Sequence, residues 1–579
     1  MHVLKRECLK PSYPPEPPST VDLPPGYAKR PGLRPLRTLT RYEKNLPFSL
    51  RDGVTIRADV FRPVQNERVP AIINWGPFGK SGSSPLNLAG TALRAGVPES
   101  KLSGYESFEG LDPAEWVPRG YAVVNADARG AGDSEGDLHW GGSVEGQDGY
   151  DLVEQIAAQP WCSGRVALAG TSWLALAQWF IATQQPPHLT CIAPLEGLSD
   201  LLREQLCRGG IPSTTVSKIV SRILPGRQQQ EDVNAMLKQY PTRNKYWDDK
   251  RVNMSGIQVP TYILGSYSAA LHTLGTFRAF DEIPHDKKWL VIHDNQKWHD
   301  LYSTERTNDL AKFFDNYLRD QPNGWEETPH VRLSFLGFNL PNELRTYKEL
   351  PWTQPDAKKL KLHMNPNRSM STSHSTDFIE GGILNYQADI PVDLAGVGSG
   401  ELAFQYTFSE KAVLAGPSKV VINVSSEKQD DLDVYVQLRK ANADGNLLQY
   451  TNMPVSGLGI SSPSKVPSLN IPRYLGPTGM LRASMRHVSK ELSTPHWQTL
   501  SHEKHQPVLR GDIIQLEIYL WPTGIIFEPG ETLVLKVAGH DMCILDYKQM
   551  RRTVRTRNRG RHFVHIGEGR ENYIELNLV

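Results

Sequence analysis

Leu168-Ala169-Gly170-Thr171-Ser172-Trp173 is the stretch on which the reading of this chain turns. An apolar run, Val166 to Ala169, ends at Gly170, and a helix-compatible run from Leu174 to Ala182 begins directly after Ser172 and Trp173. Strand, sharp turn and helix form the setting a nucleophile elbow needs. The small residue two before the serine lets the chain turn, and Ser172 is held exposed at the bend. The backbone N–H of Trp173 then lies at a helix N-terminus, where it can donate to an oxyanion. Leu174 fills the fifth position of G-x-S-x-G in place of glycine, and a bare Gly-x-Ser is usually only a turn. The flanking strand and helix carry the inference.

Outward from the elbow the same rhythm repeats. Val69 to Trp75, Tyr121 to Ala126, Thr190 to Ala193, Thr261 to Leu264 and Trp289 to Ile292 are short apolar strands. Between two of them, Asp148 to Gln159 has helical spacing, with Leu152, Ile156 and Ala157 on one side. Apolar strands separated by helices predict a parallel sheet covered on both faces, so the fold class is α/β. Upstream, Phe48-Ser49-Leu50 and Thr55 to Phe61 alternate around Asp52-Gly53, a hairpin pattern.

At 579 residues the chain needs more than one core. The expected divisions are a Pro-rich extended arm over 1–40 and an α/β-hydrolase domain over 41–199 and 256–350. A helical cap is inserted at 200–255, where the rhythm breaks. A C-terminal all-β sandwich follows at 355–579, where alternating strands such as Ser418 to Val424 and Ile513 to Leu520 replace it.

The 64 basic and 63 acidic side chains leave a net charge of +1, so no long-range field would draw a polyanion. Nucleic acid and membrane are therefore not expected partners, and no run of about 18 apolar residues could span a bilayer. The beginning, Met1 to Cys8, lacks the apolar core of a secretory signal. Cys8, Cys162, Cys191, Cys207 and Cys543 are scattered and without CxxC spacing, against a disulfide framework and against a zinc site. A cytoplasmic home, no metal and no cofactor are the expectations. Homo-oligomerisation is left open.

The text around the elbow is more specific. Arg119-Gly120-Tyr121-Ala122-Val123-Val124, Asp127-Ala128-Arg129-Gly130, Asp133-Ser134-Glu135-Gly136, Asp148-Gly149-Tyr150-Asp151 and Gln159 to Val166 resemble the cocaine-esterase-like family. That family includes the X-Pro dipeptidyl peptidases and is also called CocE/NonD. The resemblance covers most of the chain. It implies an α/β-hydrolase domain, a helical cap and a C-terminal jelly-roll, in which Asp431-Leu432-Asp433-Val434 is similar to the family's aspartate pair. Asp127, Arg129, Asp148 and Asp151 are expected to brace the elbow through ion pairs, and the two later aspartates to fix loops.

The resemblance also implies three partners for Ser172, and the chain matches them unevenly. Trp298-His299, in the loop after strand Trp289 to Ile292, is similar to the family's tryptophan and catalytic histidine, with His293 as the alternative. The acid is absent from its loop, Leu264-Gly265-Ser266-Tyr267-Ser268-Ala269-Ala270-Leu271-His272, where Ser268 or Ala269 stands in its place. Glu196 or Asp200, at the end of the neighbouring strand, could reach the histidine instead, although Asp200 also suits a helix cap. Phe78, in Trp75-Gly76-Pro77-Phe78-Gly79-Lys80, occupies the position of the family's oxyanion tyrosine and carries no hydroxyl.

The expected function is a serine hydrolase cleaving a carboxylic ester or amide of a small acyl substrate through an acyl-enzyme on Ser172. Trp173 N–H would serve the oxyanion, and Trp75, Phe78, Tyr267 and Ser268 would line the substrate pocket. The alternatives are an acyltransferase or cyclase of specialised metabolism on the same fold, or an inactive hydrolase-fold binding protein.

Overall fold

The structure is a computed structural model. It describes residues 2–269, 271–373, 382–390, 400–454, 460, 462–467, 469, 471–542, 556–567 and 569–579. Ala270 and Cys543 lie outside them; Cys8, Cys162 and Cys191 are buried free thiols, and Cys207 is buried. The chain divides into two compact units, Met1–Glu204 with Val216–His330 and Gln205–Thr215 with Val331–Val579.

The strands of the first unit are β1 (Lys5–Glu7), β2 (Ser19–Leu23), β3 (Thr40–Ser49), β4 (Thr55–Pro63), β5 (Val69–Gly76), β6 (Ala122–Asp127), β7 (Cys162–Thr171), β8 (Leu189–Leu195), β9 (Gln229–Glu231), β10 (Thr261–Ser266) and β11 (Lys288–His293). Its helices are α1 (Pro113–Trp116), α2 (Ser143–Ala157), α3 (Trp173–Thr183), α4 (Thr215–Ile223), α5 (Val233–Gln239), α6 (Lys245–Asp249), α7 (Thr273–Glu282), α8 (Lys297–Leu301) and α9 (Thr304–Leu318).

Within this unit one sheet runs β2-β3-β4-β6-β5-β7-β8-β10-β11. The pairs from β6 to β11 are parallel, as the apolar strands predict. Those from β2 to β6 are antiparallel. β5 and β6 are buried at every position, which requires cover on both faces. α3 is buried from Trp173 to Ala182 and is apolar nearly all round, the mark of a helix packed on several sides.

Three features differ from the sequence expectation. The N-terminal arm is not wholly unpaired: β2 pairs antiparallel with β3, and Leu23 and Leu36 join a core cluster with Tyr42, Phe61, Tyr105, Ala114 and Val117. Prolines on either side of β2 hid an ordinary edge strand. Residues 200–255 hold helices α4, α5 and α6, but also β9, which pairs with β1. The unit boundaries differ as well, since Gln205–Thr215 and Val331 onward fall in the second unit.

The second unit is mostly strand. One antiparallel sheet runs Met370–Ser371, Lys358–Met364, Tyr573–Leu578, Ala412–Ser426, Arg561–Ile566, Gly382–Gln387, with Ile514–Phe527 also paired to Ala412–Ser426. A second runs Glu401–Thr407, Thr532–Ala538, Asp433–Ala441, Thr478–Arg482. Leu362, Val420 and Leu576 of the first share a core with Phe404, Val436 and Leu535 of the second. Asp433 pairs with Arg482 at 2.7 and 2.8 Å, and Asp431 accepts from the Ser484 amide and hydroxyl at 3.0 and 2.6 Å.

Candidate active site

β7 ends at Thr171 and α3 begins at Trp173, so Ser172 alone makes the turn. Its backbone is at φ 60 and ψ −116, a conformation that costs a residue with a Cβ energy and that the surroundings must enforce. The amide of Ser172 donates to the carbonyls of Leu195 (3.2 Å) and Glu196 (3.1 Å), and its carbonyl opens α3 by accepting from Leu176 at 2.9 Å. Gly170 is required for the same turn. Its φ is 125, and a Cβ there would stand 2.6 Å from Leu174 Cδ2 and 3.1 Å from the Glu109 carbonyl. Ser172 is half-buried, while its helical neighbours are buried.

Trp173 is fixed by a buried carboxylate. Glu145, in the first turn of α2, accepts from Trp173 Nε1 at 3.0 Å and Trp75 Nε1 at 2.9 Å through Oε1, and from the Gly141 amide at 2.9 Å through Oε2. Burial pushes its pKa above the ordinary 4.5, against the pull of the two indole donors. Trp75 is therefore a core residue, 1% exposed, and not an open pocket wall. Phe78 lies edge-on to Trp173 (6.1 Å between ring centroids) and to Phe108 (5.6 Å), and Phe108 meets Trp298 at 5.8 Å. Where a tyrosine was expected, the ring is part of an aromatic cluster. Tyr267 is buried and stacks on Phe277 at 6.4 Å; Ser268 is half-buried, its Oγ 3.5 Å from Ser266 Oγ.

The two histidines of the sequence reading have different surroundings. His293, the last residue of β11, is 4% exposed and has both ring nitrogens occupied. Nε2 lies 2.8 Å from Glu196 Oε1, while Nδ1 faces the Asn295 amide at 3.3 Å and Asp300 Oδ1 at 3.7 Å. Burial pulls its pKa down, but Asp300 and Glu196 outweigh that and hold it above 6.5. In either tautomer no ring nitrogen is left for Ser172. Glu196 thus reaches a histidine, but His293 and not His299.

Asp200 reaches neither. It caps the helical turn Leu201–Leu206, accepting from the Arg203 amide at 3.0 Å and pairing with Arg203 Nη1 at 2.9 Å. Burial alone would raise its pKa; Arg203 and Arg251 bring it to about 2.

His299 stands in α8. Its Nδ1 meets a backbone carbonyl, Gly96 O, at 3.1 Å, and the ring is half-buried. A donor Nδ1–H on that carbonyl leaves Nε2 as the acceptor, the tautomer a general base requires. α8 is held from below by its cap, Gln296, which accepts from the Trp298 amide at 2.7 Å, and by Glu109, which accepts from Trp298 Nε1 at 2.9 Å.

A third histidine escaped the sequence reading. His272 ends the loop without the acid and is buried; its Nδ1 has no hydrogen-bond partner among the described residues. Burial, aided by the Lys297 charge, drops its pKa well below 6.5 and keeps it neutral. Its place in the acid's loop was the only signal for it. The expected carboxylates and Arg129 are ion-paired: Arg129 grips Asp148 at 2.7 Å through two nitrogens, Arg51 pairs with Asp151 at 2.6 Å, and Lys80 pairs with Asp127 at 2.9 Å.

Comparison with known proteins adds a family to this geometry. Residues 52–224 match the profile of X-Pro dipeptidyl-peptidase (S15 family), and residues 323–575 match that of the X-Pro dipeptidyl-peptidase C-terminal non-catalytic domain. A Mycobacterium bovis protein with a provisional serine-esterase name is 32% identical over 170 residues, 28% of this chain and 26% of that one. The cocaine esterase of a Rhodococcus species is 30% identical over 159 residues, 28% of this chain and 24% of that one. The chain thus matches about a quarter of each curated relative's length. A solved CocE/NonD family hydrolase from Staphylococcus aureus matches throughout, at 26% identity, 94% of both chains and a TM-score of 0.81. The chain belongs to the CocE/NonD, X-Pro dipeptidyl-peptidase-like family of α/β-hydrolases.

Proposed function

We propose that this protein is a serine hydrolase that cleaves a carboxylic ester or amide through an acyl-enzyme on Ser172. The observation that carries the proposal is the backbone of Ser172, held at φ 60 and ψ −116 between β7 and α3. Ser172 Oγ attacks the carbonyl carbon while His299 Nε2 takes its proton, and the oxyanion forms against the Trp173 N–H. The bond to the leaving group breaks as His299 returns the proton to it. Water then repeats the sequence on the acyl-serine and frees Ser172.

In this scheme the Gly96 carbonyl does part of the work of the missing acid. It fixes the imidazole tautomer, but as a neutral dipole it stabilises the imidazolium less than a carboxylate would. A wrong tautomer costs about 10⁴ in a serine protease; a correct tautomer with a weaker acceptor costs less. The Phe78 ring removes a hydroxyl donor worth about 10² to 10³. A slow hydrolase is the consequence. Phe78, Phe108 and Trp298 favour a small substrate with an apolar acyl group or ring. The helical segment around 200–255 is proposed as the cap and the C-terminal strands as a jelly-roll.

Treatment with a fluorophosphonate, followed by hydrolysis of a generic acyl ester, tests the proposal. Labelling at Ser172 with turnover is expected, and both should be lost in Ser172→Ala. Labelling without turnover would move the reading to an acyltransferase or cyclase, and no labelling to a binding protein. A second base has one observation in its favour, the neutral buried imidazole of His272. Labelling that survives His299→Asn and is lost in His272→Asn would transfer the role.

A further inference from the structure

Glu109 is one of the buried carboxylates that the proposed reaction leaves without a part. Glu109 lies between Glu99–Lys101 and α1, is 2% exposed, and has φ 70, left-handed for a residue with a Cβ. Its carbonyl accepts from the Thr171 amide at 2.9 Å, one residue before the nucleophile. Its carboxylate Oε1 accepts from Lys297 Nζ at 2.5 Å and from Trp298 Nε1 at 2.9 Å, the two residues before His299. The next carbonyl, Gly110 O, accepts from the hydroxyl of Tyr302, just past α8, at 3.1 Å.

These bonds join two parts of the site that no strand pairing joins, since β8 and β10 lie between β7 and β11. The nucleophile rides on the rigid end of β7, whereas His299 rides on a helix of five residues, too short to hold its own position. We infer that Glu109 is the positioning residue that ties the elbow to the histidine helix. It acts through Lys297 and Trp298, and the inference rests on Ser172 and His299 being nucleophile and base. An ordinary triad acid orients the imidazole directly; here a carboxylate orients the helix that carries it. Its charge matters as well as its reach. The Lys297 pair is charge-assisted, and Lys297 is only 13% exposed, so a neutral partner leaves a poorly solvated cation beside the site.

The test is the rate of fluorophosphonate labelling against pH for wild type, Glu109→Gln, Trp298→Phe and Ser172→Ala, with melting temperature measured alongside. Glu109→Gln should slow labelling about 10- to 100-fold, the penalty for misplacing a reacting group by roughly 1 Å. The acid limb of its pH profile should move to lower pH, because a carboxylate is lost and an unpaired ammonium remains near His299. Trp298→Phe cuts the same tie from the helix side without touching charge. It should slow labelling with no shift of the limb, and it decides the matter if Glu109→Gln does not fold. Wild-type rates and limb in the folded Glu109→Gln protein, or in Trp298→Phe alone if that variant does not fold, would overturn the inference and make Glu109 purely structural. Labelling unchanged in Ser172→Ala would bring down the underlying reading and this one with it, a failure visible before Glu109 is altered.

Discussion

Glu145→Ala should cost the first unit more stability than an ordinary buried substitution, and the cost can be worked from its contacts. The carboxylate accepts from two indole N–H groups and one amide N–H, all at 2.9 to 3.0 Å. Truncation strands three buried donors, each costing about 1–3 kcal/mol when unsatisfied. Against this sum stands relief from holding a buried carboxylate, whose desolvation is expressed in its raised pKa. A net loss of about 3–5 kcal/mol follows, at the upper end for single substitutions. Glu145→Gln keeps an acceptor for the indoles but turns an NH₂ toward the Gly141 amide, so it should lose only about 1–3 kcal/mol. Urea unfolding followed by tryptophan fluorescence measures both, since Trp75 and Trp173 report on the site itself. The two units need not unfold together, so the transition that the substitution moves is the one to analyse. Losses below about 1 kcal/mol in both variants would refute the reasoning, as would a larger loss in Gln than in Ala.

Other outcomes follow from the same geometry. Gly170→Ala should destabilise the protein and slow labelling of Ser172, because a Cβ would meet Leu174 at 2.6 Å in a left-handed backbone; an unchanged melting temperature and labelling rate would contradict this. Phe78→Tyr should raise ester turnover by up to about 10²-fold if its hydroxyl reaches the oxyanion, measured as kcat. His293 has a folded pKa above 6.5, held there by Asp300 and Glu196 against burial. Its stabilisation is whole below 6.5 and is lost as pH rises through the raised folded value. His293→Asn should therefore flatten a decline in melting temperature above neutrality. Asp200 has the opposite sign: its folded pKa is about 2, so it stabilises above the ordinary 3.8 and stops doing so as pH falls toward 2. Asp200→Asn should weaken the acid-unfolding transition in that window.

The parts of the fold legible in the sequence were those set by burial. β5, β6 and the inner end of β7 have no exposed face, so they read as continuous apolar runs, and the strand, turn and helix around Ser172 are legible because strand, glycine and helix stand in line. β2 and β9 did not read, since each gains its place by pairing with a distant segment, β3 and β1 respectively. The candidate site divides on the same line. Ser172 is local, and its setting lies within a few residues. The partners of the histidines come from far along the chain: Gly96 for His299 and Glu196 for His293. Residue spacing carries no signal for such contacts, least of all when the acceptor is a backbone carbonyl. Trp75 was misplaced for a related reason, because an aromatic residue at a strand end suits a pocket or a core equally until Glu145 is found beside it.

The central claim is that Ser172 is a working nucleophile, and one measurement meets it most directly. Intact protein treated with a fluorophosphonate is digested and the modified peptide identified by mass spectrometry, for wild type and Ser172→Ala. A single adduct on Ser172, absent from the variant, is the expected result. An unlabelled wild type, or an adduct that persists in Ser172→Ala, would contradict it.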